Sequence, residues 1–232
     1  MKALILAGGY GKRLRPLTEE VPKPLIEVAG KPILGWQIEL YKRHGIKEIV
    51  LAVGHLKEKM IERVGSGSKY GVRIVYVVED EPLGTGGAIK NAEAALKGEE
   101  MFAVSNGDVI TNLDVSKLCK ALEESDAVAA MSLVPLPSPY GIVLTDESGR
   151  VKEFKEKPKL PDYWINAGIY CMRPEIFEYL PESGDIEKTA FPQLAKEGKL
   201  IAVKYPEAFW KSIDNFKDLE EANRVLSELS LF

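Results

Sequence analysis

Strand-length apolar runs alternate with stretches of helical period through roughly the first 135 residues, and this alternation limits the possible folds more than any other feature. ALILA, EIVLAVG, VRIVYVVE, MFAVSNGD and AVAAMSLV are separated by ILGWQIELYKRHG, HLKEKMIERVG, TGGAIKNAEAALKG and VSKLCKALEES. Strands that are apolar on both faces, each followed by a helix, predict an α/β fold with a doubly wound, mostly parallel sheet. The rhythm then changes. YGIVLTDESGRVKEFKEKP reads as two strands joined at DESG, INAGIYCM as a further strand and PEIFEYL as a short helix. EKTAFPQLAKEG is a helix, LIAVKYP and AFWKSI are strands, and DLEEANRVLSEL is an amphipathic closing helix. No period repeats. The chain of 232 residues is therefore expected to form one domain, with a mixed β insertion over about 136–215 and a closing helix over about 216–230.

Composition excludes several classes. No apolar run is long enough to cross a bilayer, and the N-terminal run ends at Gly8 as a strand would, not as a signal peptide, so no membrane is involved and a cytoplasmic location is expected. Cys119 and Cys171 are too few and too far apart for a disulfide scaffold or a zinc site and are expected in the core. A net charge of −4 removes the electrostatic footprint of a nucleic-acid binder, although a local basic pocket for a small anion remains open.

GGYGKRLRPLTEEVPKPL, directly after the first strand, is out of keeping with this frame. From Gly8 to the helix near Pro32 the periodicity is weak and Pro16, Pro22 and Pro24 interrupt it, far beyond the usual βα loop of about 2–6 residues. A loop leaving the C-terminal end of the first strand lies where open α/β sheets bind ligands. Its glycines let the backbone approach a ligand closely, and Lys12, Arg13, Arg15 and Lys23 supply positive charge, a combination suited to phosphates. The pattern is neither GxxxxGK[ST] nor GxGxxG.

GGYGKRLRPLT, VPKPL and AGKP together resemble the signature GGxGxRLxPLT…PKPL…GKP of the sugar-1-phosphate nucleotidyltransferases, and the resemblance runs from Ala3 to about Asn223. It implies a Rossmann-like nucleotidyltransferase domain whose nucleotide side is about 1–135 and whose insertion is the sugar side; no hexapeptide-repeat tail follows the final helix, so no C-terminal β-helix domain is expected. It further implies Arg13 and Lys23 as catalytic cations and Leu6, Ala7, Gly8, Gly9 and Gly11 as part of the nucleotide site. Asp108 in SNGD and Asp214 in SIDNF match the family's pair of metal-binding aspartates, and Mg2+ is the implied cofactor. On local sequence alone Asp214 reads as a helix N-cap, and Asn215 departs from the Gly or Thr that many relatives carry there. EDEPLGTGGAI supplies Glu79, Gly84 and Thr85 to the base side and is similar to mannose- and heptose-1-phosphate guanylyltransferases. Gly141 of YG, Glu156 and Lys157 of EKP and Asn166 of NAG match the family's sugar-phosphate contacts.

The implied reaction joins a nucleoside triphosphate to a sugar 1-phosphate, giving an NDP-sugar and pyrophosphate, with GTP and mannose 1-phosphate as the first choice of substrates. A glucose-1-phosphate thymidylyl- or uridylyltransferase and a non-catalytic sugar-nucleotide-binding relative are the alternatives. A phosphate monoester with a second pKa of about 6 is already anionic at neutral pH and needs little general-base help. His44 and His55 lie at helix ends outside every motif and read as capping or surface residues. A glycosyltransferase would need an Asp-x-Asp motif, which SNGDVI lacks. Dimers and tetramers are common in the family, so a homo-oligomer is compatible with the resemblance.

Overall fold

The computed structural model describes residues 1–228 and 231, so the last two positions expected in the closing helix, 229 and 230, lie outside the described residues. Strand β1 (Ala3–Ala7) runs into the glycine- and proline-rich segment, which is more ordered than its weak periodicity suggests. A 3-10 turn at Lys12–Leu14, helix α1 (Leu17–Glu20), a second 3-10 turn at Lys23–Leu25 and a ribbon of β2 (Glu27–Val28) with β3 (Lys31–Pro32) fold it onto the body. Then follow α2 (Ile33–Arg43), β4 (Glu48–Val53), α3 (Lys57–Val64), β5 (Arg73–Val78), α4 (Gly84–Asn91), α5 (Glu93–Leu96) and β6 (Phe102–Asn106). A three-residue strand β7 (Val109–Thr111) precedes α6 (Val115–Glu123) and β8 (Ala129–Pro137). The second half contains β9 (Ile142–Thr145), β10 (Val151–Lys155), β11 (Lys159–Met172), α7 (Ala190–Lys196), β12 (Leu200–Lys204), β13 (Trp210–Ser212) and α8 (Phe216–Glu228). PEIFEYL forms a 3-10 turn at Pro174–Glu178.

Seven strands form the central sheet in the order β12-β8-β11-β6-β1-β4-β5. β1 is parallel to β4 and β6, β4 to β5 and β12 to β8, while β11 alone runs antiparallel, to both β6 and β8. The mostly parallel α/β sheet expected from the alternating pattern is present. Within the stretch 136–215, the β9–β10 hairpin stands apart from that sheet, whereas β11 and β12 belong to it.

Alternation of side chains along β1 divides the interior. Ala3, Ile5 and Ala7 meet Leu34, Ile38 and Tyr41 of α2, Met60 of α3 and Leu118 of α6; Leu4 meets Ile89 of α4, Phe191 and Leu194 of α7 on the other face. Each Leu or Ile so buried contributes about 1.5–3 kcal/mol. A third cluster joins Leu14, Ile26, Val28 and Ile33 to Ile110, Ile213, Ala222 and Leu226, anchoring the signature segment under α8. Both cysteines are buried in the core.

The histidines act in structure. His44 is the C-cap residue of α2, and its side chain reaches the start of α6, where Nε2 accepts the Val115 N–H at 3.4 Å, which leaves Nδ1–H to donate to Ser116 Oγ at 2.9 Å. His55 Nε2 lies 3.0 Å from the Thr18 carbonyl, and its ring meets Tyr10 at 4.9 Å, tying the signature loop to the end of β4.

Candidate active site

The C-terminal ends of β1, β5 and β6 open into a cleft of about 300 Å³, whose walls include Leu6, Gly8, Gly9, Glu79, Gly84, Thr85 and Asp108. Seven positions singled out in the sequence therefore line one cavity. Gly11 lies farther along the loop, where its carbonyl accepts the Thr18 hydroxyl at 2.9 Å, and Ala7 is buried in β1 behind the wall.

Arg13, Lys23, Asp108 and Asp214 meet at the mouth of this cleft. Lys23 Nζ donates to Asp108 Oδ2 at 2.7 Å and lies 3.5 Å from Asp214 Oδ1, while Arg13 donates to the same Asp214 oxygen at 2.8 Å. Two cations and two carboxylates balance in charge. Their burial differs: the Lys23 side chain is 12% exposed and that of Arg13 71%, so Arg13 is the one able to swing toward a ligand. Lys23 is held by the 3-10 turn that follows Pro22, with Pro24 buried beneath it.

A small antiparallel ribbon brings the two carboxylates together. Ser212 of β13 pairs with Val109 of β7, and the Ile213 N–H donates to the Asp108 carbonyl at 2.9 Å, which sets Asp108 beside Asp214. Burial alone would raise the pKa of Asp214, but the Ser212 hydroxyl and the Lys23 and Arg13 cations outweigh it and hold the carboxyl below its ordinary value. Asp214 is not the N-cap that local sequence suggested. Asn215 has that role, with its Oδ1 accepting the Asp218 N–H at 3.1 Å, while Asp218 Oδ2 accepts the Asp214 N–H at 3.1 Å. Asp214 is thereby left for the cleft, and the departure at Asn215 has a structural reason.

The donor set suits a hard divalent cation. Two adjacent carboxylates, with no third Asp, Glu, His or Cys completing a ligand group among the described residues, match the way Mg2+ is bound through one or two carboxylates plus substrate phosphates.

Glu79 is 7% exposed at the base of the cleft. Burial pushes its carboxyl pKa up, opposed only by the Leu83 N–H at 3.4 Å. The three glycines at the head of α4 have a purpose the sequence did not reveal: a Cβ at Gly84, Gly86 or Gly87 would meet the 182–184 backbone at 2.7–3.0 Å. The Gly184 carbonyl consumes the Gly86 and Gly87 N–H groups, at 2.9 and 3.2 Å, so these helix-head donors are committed within the protein. Thr85 Oγ1 donates to Glu187 Oε2 at 2.6 Å and accepts the Ile186 N–H at 2.9 Å.

Gly141, Glu156, Lys157 and Asn166 lie outside the cleft wall. Glu156 Oε2 would be 3.1 Å from a Cβ at Gly141, and Lys157, at a positive φ of 43°, lies 3.5 Å from Glu156, so these three form one group on the β9–β10 side. Asn166 sits in β11. The structure also adds Tyr10, Pro82, Asn106 and Asp185 to the cleft wall. Asn106 could have been suspected from its place two residues before Asp108; Asp185, in a distant loop, gives no local signal.

A mannose-1-phosphate guanyltransferase of Yarrowia lipolytica is 40% identical over 99% of this chain, and the chain spans 65% of that protein's length. Among solved structures, HddC from Yersinia pseudotuberculosis, complexed with GMP-PN, aligns with a TM-score of 0.75 and 29% identity over 97% of this chain and 99% of its own. A putative glucose-1-phosphate thymidylyltransferase from Bacillus anthracis gives a TM-score of 0.79 at 25% identity, over 100% of this chain and 97% of its own. Among the described residues no helix is long and apolar enough to cross a membrane. Matched from residue 2 to residue 228 by the nucleotidyl transferase family model, the chain belongs to that family.

Proposed function

We propose that the protein transfers a guanylyl group from GTP to mannose 1-phosphate, forming GDP-mannose and pyrophosphate with Mg2+ as cofactor. The observation that carries this reading is Lys23 lying between Asp108 and Asp214, with Arg13 on the same carboxylate, at the mouth of a glycine-walled cleft. Similarity to a mannose-1-phosphate guanyltransferase supports the choice of substrates.

The sugar phosphate oxygen, anionic at neutral pH, attacks the α-phosphorus in line, and pyrophosphate departs on the opposite side. Catalysis on this reading is alignment and charge neutralisation, with Arg13 as a fork on phosphate oxygens and Lys23 as a fixed point charge. Enzymes of this family generally use a divalent metal. Asp108 and Asp214 would hold the ion, which when bound neutralises the triphosphate and polarises the α-phosphate. Leu6, Gly8, Gly9, Gly84 and Thr85 would frame the nucleotide, and Gly141, Glu156, Lys157 and Asn166 the sugar phosphate. Glu79 favours guanine. A buried carboxylate with a single long N–H bond seeks paired donors, and among the common bases guanine alone offers two adjacent ones on its pairing edge.

Pyrophosphate release across GTP, ATP, UTP and dTTP, each crossed with mannose 1-phosphate and glucose 1-phosphate, tests the proposal. GTP with mannose 1-phosphate should give the highest kcat/KM. A preference for dTTP with glucose 1-phosphate, the alternative favoured by the Bacillus anthracis likeness, or for UTP with that sugar, would displace the substrate choice while leaving the reaction class in place.

A further inference from the structure

Asn166 is held by a bulge in β11. Between Asn166 and Tyr170 the pairing with β8 shifts register, and Gly168 takes φ of +73°, a conformation that favours glycine. The irregularity folds the Asn166 side chain back on its own strand. Its Oδ1 accepts the Gly168 N–H at 2.9 Å, and its Nδ2 donates to the Tyr170 hydroxyl at 2.8 Å. Tyr170 is fully buried, its ring 5.0 Å from that of Phe191, and burial pushes its phenol pKa far up, so the hydroxyl that accepts from Asn166 stays neutral.

Asn106 lies against the bulge. A Cβ at Gly168 would stand 2.9 Å from Asn106 Nδ2 and 3.3 Å from its Cβ, so the Asn106 side chain packs directly on the bulge. The main chain of Asn106 is fixed from the other side, where Gln37 Nε2 donates to its carbonyl at 2.7 Å. Asn106 Oδ1 is buried without a partner, and the residue lines the cleft two positions from Asp108. A primary amide has two N–H groups and two lone pairs, so an Asn166 pinned at one of each still has one of each to offer.

We infer that Tyr170 and Asn106 are positioning residues: through the 166–170 bulge they hold the Asn166 amide so that its remaining N–H and lone pair meet hydroxyls of the sugar 1-phosphate. The inference rests on reading Asn166 as a sugar contact. It makes the sugar side depend on a hydroxyl that never touches substrate, and it joins that side to the end of β6, from which the chain turns to Asp108.

Tyr170→Phe removes one oxygen and keeps the ring in the core. Steady-state kinetics with mannose 1-phosphate at saturating GTP, GTP affinity by calorimetry and thermal melting should be measured for Tyr170→Phe, Asn106→Ala, Asn166→Ala and the Tyr170→Phe/Asn166→Ala double variant. The expected result is a KM for mannose 1-phosphate raised about tenfold by Tyr170→Phe and by Asn166→Ala, with GTP affinity within about twofold of wild type. Asn106→Ala should move the same constant in the same direction, and it stands in should Tyr170→Phe fold poorly. The double variant should be no worse than Asn166→Ala alone, because the hydroxyl acts only through that amide. Additive effects, or an unchanged KM in Tyr170→Phe and Asn106→Ala while Asn166→Ala raises it, would overturn the relay. If Asn166→Ala itself leaves the KM unchanged, the sugar reading of Asn166 fails and the relay with it, whereas guanylyl transfer stands on the substrate panel.

Discussion

Lys23 and Glu79 carry opposite kinds of electrostatic cost. Lys23 is largely buried but meets two carboxylates, and its compact ammonium is set by Pro22 and Pro24. A planar guanidinium cannot replace that geometry, so Lys23→Arg should lose most turnover despite keeping the charge. Steady-state kinetics check this, and a fully active variant would show that the position needs charge alone. Glu79 has no cation to offset its burial. Its raised pKa means that the folded state binds the proton more tightly than the unfolded chain, so stability falls as pH rises from the ordinary carboxylate pKa through the raised one. Glu79→Gln should therefore raise the melting temperature at neutral pH and flatten that dependence, while lowering kcat/KM for GTP relative to other triphosphates. Melting curves between pH 4 and 8 test the first part; an unchanged or lower melting temperature at neutral pH would contradict it.

At the level of elements, the long strands and helices were legible because their apolar periods are long, and the ribbon that aligns Asp108 with Asp214 was not. β13 falls within AFWKSI, read as a strand, but β7 is only three residues, too short for a period to register, and the pairing of the two is a contact between positions about 100 residues apart. The first part of β11 was equally hidden, since KLPDYW contains a proline. Asp214 looked like a cap because one oxygen-bearing side chain next to a helix resembles another; only the bonds to Asp218 separate Asn215, the cap, from Asp214. Asn215→Ala should cost about 1 kcal/mol in denaturant unfolding, the usual loss for an N-cap. It should also lower turnover, because the cap fixes the turn from which Asp214 projects. Normal stability in that variant would mean that Asp218 and Lys211, paired at 2.8 Å, hold the helix start unaided.

For the molecule as a whole, the sheet and the β7–β13 ribbon bring segments distant in sequence together: the signature loop after β1, Glu79 after β5, Asp108 after β6 and, through the ribbon, Asp214 after β13. The motifs were readable as residue types in order, yet their distances were not, and the sugar-side group at Gly141 and Glu156 stands on a separate hairpin. On the proposed reading, Lys23, Asp108, Asp214 and Arg13 form the center of nucleotidyl transfer. The most direct test is pyrophosphate release from GTP and mannose 1-phosphate at saturating Mg2+, measured for wild type and Asp108→Asn alongside their melting temperatures. Asp108→Asn keeps the shape and removes the charge, so turnover should fall by about 10²–10³-fold while the melting temperature stays near that of wild type. Near-normal pyrophosphate release by Asp108→Asn would contradict the account.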